Sequence, residues 1–146
     1  SVSPVLDDAL RAADMVLTPL NDSLVDLQIL ADPGPAGLLV RRMIAERRAR
    51  REAGRPPLRW LVVKNRVSPL HSRNAAAIDR KLARLADTLD FEVVPGLTER
   101  VIMRELFDQG LTVVDGAGAA KPTLSHLAAR SELRGLIETL GLREPA

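Results

Sequence analysis

The sequence predicts an α/β fold built on a partial parallel sheet with flanking helices, and three observations carry that reading. The first is Trp60-Leu61-Val62-Val63, an apolar, β-branched run bounded by Pro56-Pro57 before and by Lys64-Asn65-Arg66 after, the pattern of a buried strand. The second is its distance to Phe91-Glu92-Val93-Val94: strand, helix and strand in about thirty residues make the βαβ unit of a parallel sheet. The third is that strands as continuously apolar as Met15–Leu17 and Trp60–Val63 need cover on both faces and neighbours on both edges. Three strands are too few for a full doubly wound sheet, so residues 1–146 read as one partial domain whose missing part precedes Ser1.

Taken in order, Ser3-Pro4 opens a short helix to about Ala13, because serine caps and proline in the first turn loses no needed N–H. Met15 to Leu20 is a strand ending in the polar tip Asn21-Asp22-Ser23. A second short segment runs through Leu30 to the break Asp32-Pro33-Gly34-Pro35. From about Ala36 to Ala53 the pattern is helical, with Leu38, Leu39, Ile44 and Ala45 apolar. Arg41, Arg42, Arg47, Arg48, Arg50, Arg51 and Arg55 follow against only Glu46 and Glu52, a charge run that reads as a solvated face.

After the central strand, a helix from near Ser72 to near Asp90 places Ile78, Leu82, Leu85 and Leu89 on one stripe. Arg73, Arg80 and Arg84 fall together on the opposite side, at about 100° per residue. The reading is a core face and a basic ridge, or simply an amphipathic surface helix with solubilising arginines. The third strand ends in Pro95-Gly96-Leu97, which fixes a turn and permits close backbone approach to a ligand. Thr98 then reads as the N-cap of a helix to about Phe107, with Arg100 and Arg104 four apart on one face. Leu111 to Val114 reads as extended, Asp115–Pro122 as loop, and a last helix runs from Thr123 to about Gly141. The apolar surface of that helix, Leu124, Leu127, Leu133, Leu136, Ile137 and Leu140, is wide enough to pack on the sheet.

Composition narrows the chemistry. The chain has 146 residues, no cysteine and a formal net charge of +2, which excludes a disulfide framework and thiolate metal sites. No apolar run approaches the roughly 20 residues of a membrane span, and no leader opens the chain, so it reads as soluble. Aromatics are scarce, which leaves phosphate contact rather than base stacking as the mode for any nucleic-acid role. His71 and His126 stand alone, without a second ligand at metal spacing, and read as surface or capping histidines. No serine-histidine-aspartate arrangement is evident. The Asp115–Pro122 loop is no phosphate cradle, because Pro122 removes an N–H where one is needed and Ala120, not a glycine, stands directly before Lys121.

In open α/β sheets ligands sit beyond the carboxyl ends of the strands. Asn65 and Arg66 stand there, and an asparagine amide can both donate to and accept from a nucleobase edge. Guanine reading needs a carboxylate three residues after such an asparagine, and Ser68 occupies that place, so adenine fits better than guanine. A polar strand end with no ligand is the alternative.

With these residues in view the chain resembles ParA/MinD-type P-loop ATPases, most closely the MipZ branch. The resemblance is carried by Ala13–Ser23, Trp60–Arg66, Ser72-Arg73-Asn74, Pro95-Gly96-Leu97, Arg100–Phe107, Gly110-Leu111-Thr112 and Leu127–Leu133, with the run from Pro95 to Thr112 the most specific. The resemblance implies the C-terminal half of an ATPase that binds ATP and Mg²⁺, forms a homodimer on ATP and holds nonspecific DNA. It further implies a ParB-type partition protein and FtsZ as partners, with a cytoplasmic, nucleoid-associated location. Asn65 is then the adenine reader, Arg66 lies beside it, and Pro95, Gly96 and Leu97 close over the base, while Asn21 and Asp22 lie near the nucleotide or the dimer interface. Arg73 becomes a DNA contact, whereas Ala77 and Thr98 stand where the family tends to place further basic residues. DNA contact is therefore weaker here or shifted to Arg80, Arg84, Arg100 and Arg104. The phosphate-binding loop precedes Ser1 on this reading, so no catalytic residue is assigned within the chain. The competing reading is a catalytically inactive DNA- or protein-binding module that uses the arginine ridge.

Overall fold

The computed structural model describes residues 4–21, 23–32, 37–67, 73–115 and 122–142. Helix α1 (Pro4–Ala12) leads to strand β1 (Met15–Asn21), helices α2 (Leu24–Ala31) and α3 (Leu38–Glu52), strand β2 (Arg59–Asn65), helix α4 (Arg73–Leu89), strand β3 (Glu92–Val94), and helices α5 (Val101–Asp108) and α6 (Leu124–Leu140). The strands form one parallel sheet in the order β1-β2-β3. Fold class and strand positions agree with the expectation from sequence.

Alternation along β2 divides the core. Trp60 and Val62 face one side, where they pack with Leu10, Leu20, Leu27, Leu30, Val40, Met43, Ile78, Leu82 and Phe91 from β1, the residue leading into β3 and helices α1 to α4. Leu61 and Val63 face the other, against Val94 and, from α6, Leu136 and Leu140. A fully buried strand of this kind must be apolar at every position, which Trp60–Val63 is. A third cluster, Leu106, Val113 and Ala129, joins α5 to α6. The β1 residue Leu17 is 38% exposed, so the α6 side of the sheet is less covered over β1 than over β2.

The arginine-rich helix departs from the expectation of a solvated face. Its buried line is Val40, Met43 and Arg50, whereas Ile44 and Ala45 are exposed. Arg50 is only 4% exposed. One of its Nη atoms donates to the carbonyls of Leu10 (2.9 Å), Arg11 (3.1 Å) and Ala13 (2.6 Å), and its Nε donates to Glu46 (2.9 Å). The last carbonyls of a helix lack partners within it and carry partial negative charge, so the buried guanidinium closes the end of α1. Arg47 donates to the carbonyls of Leu58 and Leu89, both at 3.0 Å, and lies 5.9 Å from the Trp60 ring centroid. Arg42 pairs with Asp7 at 2.6 Å. Arg42, Arg47 and Arg50 therefore bracket one element to another, while Arg41, Arg48 and Arg51 remain exposed.

Four smaller expectations are corrected. Thr98 is not the N-cap of α5: Arg100 is, with φ −134° and no side-chain cap bond. Parallel pairing of Val67 with Thr98 keeps the chain extended for two more residues. Leu111–Val114 is not an extended piece but a turn, in which the Asp115 carboxylate accepts from the Thr112 N–H (2.7 Å) and hydroxyl (2.6 Å). These two bonds hold the Asp115 carboxyl below its ordinary range against a small opposing effect of burial. His126 is buried, not at the surface, with Nε2 3.2 Å from the Val113 carbonyl oxygen. Leu124 and Leu127 are exposed and take no part in packing α6 on the sheet. His71 and the loop 116–121 lie outside the described residues.

Candidate functional site

Parallel register sets the site. Asn21 pairs with Asn65 across β1 and β2, so two amide side chains occupy neighbouring carboxyl ends, on strands about 4.8 Å apart. The loop after β3 joins the same rim through main-chain bonds. Leu97 N–H donates to the Lys64 carbonyl (2.8 Å), Val67 N–H to the Leu97 carbonyl (3.0 Å), and Glu99 N–H to the Val67 carbonyl (3.0 Å). The three strand tips singled out in the sequence are therefore neighbours.

Gly96 has a steric reason to be glycine. A Cβ there would meet Val67 Cγ2 at 2.9 Å, the Lys64 carbonyl oxygen at 3.0 Å and Lys64 Cβ at 3.2 Å. Its role is to let the loop lie flat on the tip of β2, and Leu97 then packs on the α6 side of the core.

Next to Asn65 the rim opens into a cavity of about 350 Å³, lined by Asn65, Arg66, Thr98, Glu99, Arg100, Met103 and Arg104. Arg66 has φ 55°, in the left-handed region, and pairs with Glu99 at 3.0 Å. Arg100 pairs with Glu132 of α6 at 2.6 Å. Glu132 also accepts from the Thr98 N–H (3.1 Å) and hydroxyl (2.9 Å). Burial pushes the Glu132 carboxyl up, but the Arg100 hydrogen bond, the two from Thr98 and the Arg100 charge outweigh it and hold it below its usual range. Arg104 has no ion-pair partner among the described residues and leaves the cavity a net positive wall.

The sequence-predicted residues thus divide. Asn65, Arg66, Arg100 and Arg104 line one cavity, with Asn21 on the adjacent strand tip. Pro95, Gly96 and Leu97 form the loop beside it. Arg80 and Arg84 lie elsewhere, exposed on α4, where Arg84 and Lys81 rim a second cavity of about 240 Å³ floored by Leu27, Ala31 and Leu85. Arg73 is the first residue of α4, and Asp22 lies outside the described residues. Thr98, Glu99, Met103 and Glu132 are the site residues that sequence reasoning missed. Glu132 is 34 residues from Thr98, and no local pattern announces that pairing.

A nucleotide base fits this donor set. The Asn65 amide offers both a donor and an acceptor. The Arg100 Nε–H, shielded from solvent, has no acceptor among the described residues, and a buried unmet donor of this kind favours a ligand that brings one. For a divalent cation the fit is poor: among the described residues no three His, Cys, Asp or Glu side chains converge.

A profile of the MipZ ATPase family matches residues 1–144. The chain belongs to this family. Within the ParA/MinD type, the MipZ-like assignment accords with the α/β architecture. No curated protein matches the MipZ-family chain significantly. Among solved structures, an ATP complex of Cyanothece McdA superposes with a TM-score of 0.59 at 16% identity, over 94% of this chain and 46% of that one. At that identity the likeness shows the fold alone, and the MipZ-family chain spans about half the length of the protein it overlays. Among the described residues no helix is long and apolar enough to cross a membrane.

Proposed function

We propose that this chain forms the base-side half of an ATP-binding site in a MipZ-type ATPase that positions the division plane. The observation that supports it is the meeting of Asn21, Asn65 and the Pro95–Leu97 loop at one carboxyl rim, beside a cavity with an amide and a positive wall. Asn65 would hydrogen-bond the adenine edge, and the Pro95–Leu97 backbone would lie against the ring. Asn21, with Asp22 after it, would face the nucleotide or a second subunit. ATP would supply the phosphoanhydride bond and the negative charge that Mg²⁺ and phosphate-side residues neutralise. Those residues, backbone N–H groups and a lysine, provide most phosphoryl-transfer catalysis, and the sequence has no G-x-x-x-x-G-K-[ST] run. The 146 residues alone would not turn over ATP.

The proposal extends to an ATP-dependent homodimer that holds nonspecific DNA through Arg73, Arg80 and Arg84, associates with a ParB-type partition protein and opposes FtsZ assembly. Such a protein would be cytoplasmic and nucleoid-associated. Arg100 and Arg104 sit on the cavity and are proposed to act there before DNA. Equilibrium binding of a fluorescent adenine nucleotide to the complete gene product tests the core of this reading. Competition by ATP but not GTP, weakened by Asn65→Ala, is the expected result, and equal competition by both would overturn it.

A second reading, a binding module without catalysis, draws on Arg80 and Arg84, which are exposed and have no ion-pair partner among the described residues. It would be favoured if DNA retention proved independent of nucleotide.

A further inference from the structure

We propose that Glu132 is a positioning residue for the nucleotide base, acting from α6 through Thr98 and Arg100 on the cavity wall. The inference rests on the adenine-binding reading above and goes beyond it, since no strand tip contains Glu132.

The geometry is that of a latch. Among the described residues, the chain between β3 and α5 is held by the exposed Arg66–Glu99 pair and by two further sets of restraints. One is the main-chain pairing of residues 97–99 with Lys64 and Val67, which fixes height above the sheet. The other is Glu132, whose two carboxylate oxygens take the Thr98 N–H, the Thr98 hydroxyl and the Arg100 guanidinium. Both donor residues line the cavity that Asn65 lines. Among the described residues the Arg100 guanidinium, at the N-cap of α5, has one hydrogen-bonding partner, Glu132, so its orientation depends on the carboxylate of α6. Side chains that must meet a ligand within a fraction of an ångström need partners that lock their rotamers. Glu132 supplies that lock, and α6 is itself anchored to the sheet by Leu136 and Leu140.

The pairing also explains why the N-cap expected at Thr98 is lost. Its hydroxyl is committed to Glu132 instead of a helix N–H, which keeps residues 98–100 extended along the cavity. A serine or threonine in that stretch would otherwise favour an earlier helix start.

The test uses the complete gene product and two probes, ATP and inorganic tripolyphosphate, each titrated by calorimetry. Glu132→Gln keeps size and one acceptor oxygen but loses the charge that holds Arg100. It should weaken ATP binding by about five- to tenfold, the effect of losing one charge-assisted hydrogen bond at the base, while tripolyphosphate affinity changes by less than about twofold. A purely structural role would weaken both probes alike, or neither, and either outcome overturns the inference. Thr98→Val, which removes the hydroxyl with little change in shape, should show the same selective loss at smaller size, and it decides the matter if Glu132→Gln does not fold. Unchanged ATP affinity in Thr98→Val would then overturn it. Asn65→Ala separates the two claims. If it leaves ATP binding intact, the adenine reading fails, whereas if it weakens ATP binding and Glu132→Gln does not, only the latch fails.

Discussion

Asn21 and Asn65 are register partners at the carboxyl ends of β1 and β2, so two amides of different chain segments share one rim. In the complete gene product, Asn65→Ala should weaken ATP binding by about tenfold, or roughly 1.4 kcal/mol. Its unfolding midpoint without nucleotide should stay near that of the parent, because the side chain is only half-buried. Nucleotide titration and a denaturant melt measured on the same preparation check both halves.

Gly96→Ala should damage the same function by a different route. The added methyl would press on the Lys64 carbonyl, which is backbone and cannot rotate away. Overpacking of this kind costs about 1–3 kcal/mol, so lower stability and weaker ATP binding should appear together. Binding and stability both unchanged would mean that the loop shifts freely and that its fit on β2 is not needed.

Arg50→Ala should be the most destabilising single arginine change. It strips a partner from three carbonyls at the end of α1 and leaves Glu46 half-compensated by Arg55 at 3.8 Å. Breaking a buried ion pair from one side costs about 3–5 kcal/mol. Arg48→Ala, which removes only an exposed pair with Glu52, should change stability by less than about 1 kcal/mol. Urea unfolding of the two variants side by side measures the contrast.

Acid should loosen the latch. The Glu132 carboxyl is held below its ordinary 4.5 in the folded protein because the bonds from Arg100 and Thr98 outweigh burial. A lowered folded value means that the carboxylate stabilises the fold above the unfolded value and that this contribution fades as pH falls through the folded one. Glu132→Gln should therefore be less stable than the parent near neutrality and converge with it in acid below about 4.5. Denaturant midpoints across the acid limb give the readout.

For DNA, the exposed arginines of α4 supply a test that does not depend on the cavity. Arg80→Ala and Arg84→Ala should each lower the slope of log affinity against log salt by about 0.9 if each touches one phosphate. Arg104→Ala should leave that slope alone and weaken ATP instead. A reversed pattern would move the DNA surface to the rim.

The strands, their parallel order and the meeting of their polar tips are legible in the sequence because apolar runs and turn residues are local signals with a fixed geometric meaning. Asn65 and Gly96 can be placed at one rim on that basis alone. The arginine run is not legible in the same way, since charge pattern does not say which guanidinium finds a carbonyl: Arg48 and Arg50 are two residues apart, one in water and one sealed against α1. Thr98 has the local signature of a cap, and only the distant carboxylate of Glu132 draws its hydroxyl away. Leu124 and Leu127 look like core by composition, yet the contact with α5 is centred further along α6, at Ala129 and Leu133, and with the sheet at Leu136.

The single tryptophan makes the central strand observable in solution. Trp60 is almost fully buried, donates through Nε1 to Thr18 of β1 at 2.9 Å, and lies 5.2 Å from the Phe91 ring. Its emission therefore reports the union of β1, β2 and the start of β3 as a unit. It stands five positions before Asn65, roughly 16 Å along the strand. Intrinsic fluorescence should thus follow global unfolding while staying silent when a nucleotide enters, which gives the chain a built-in optical reference against which any extrinsic dye at the rim can be normalised.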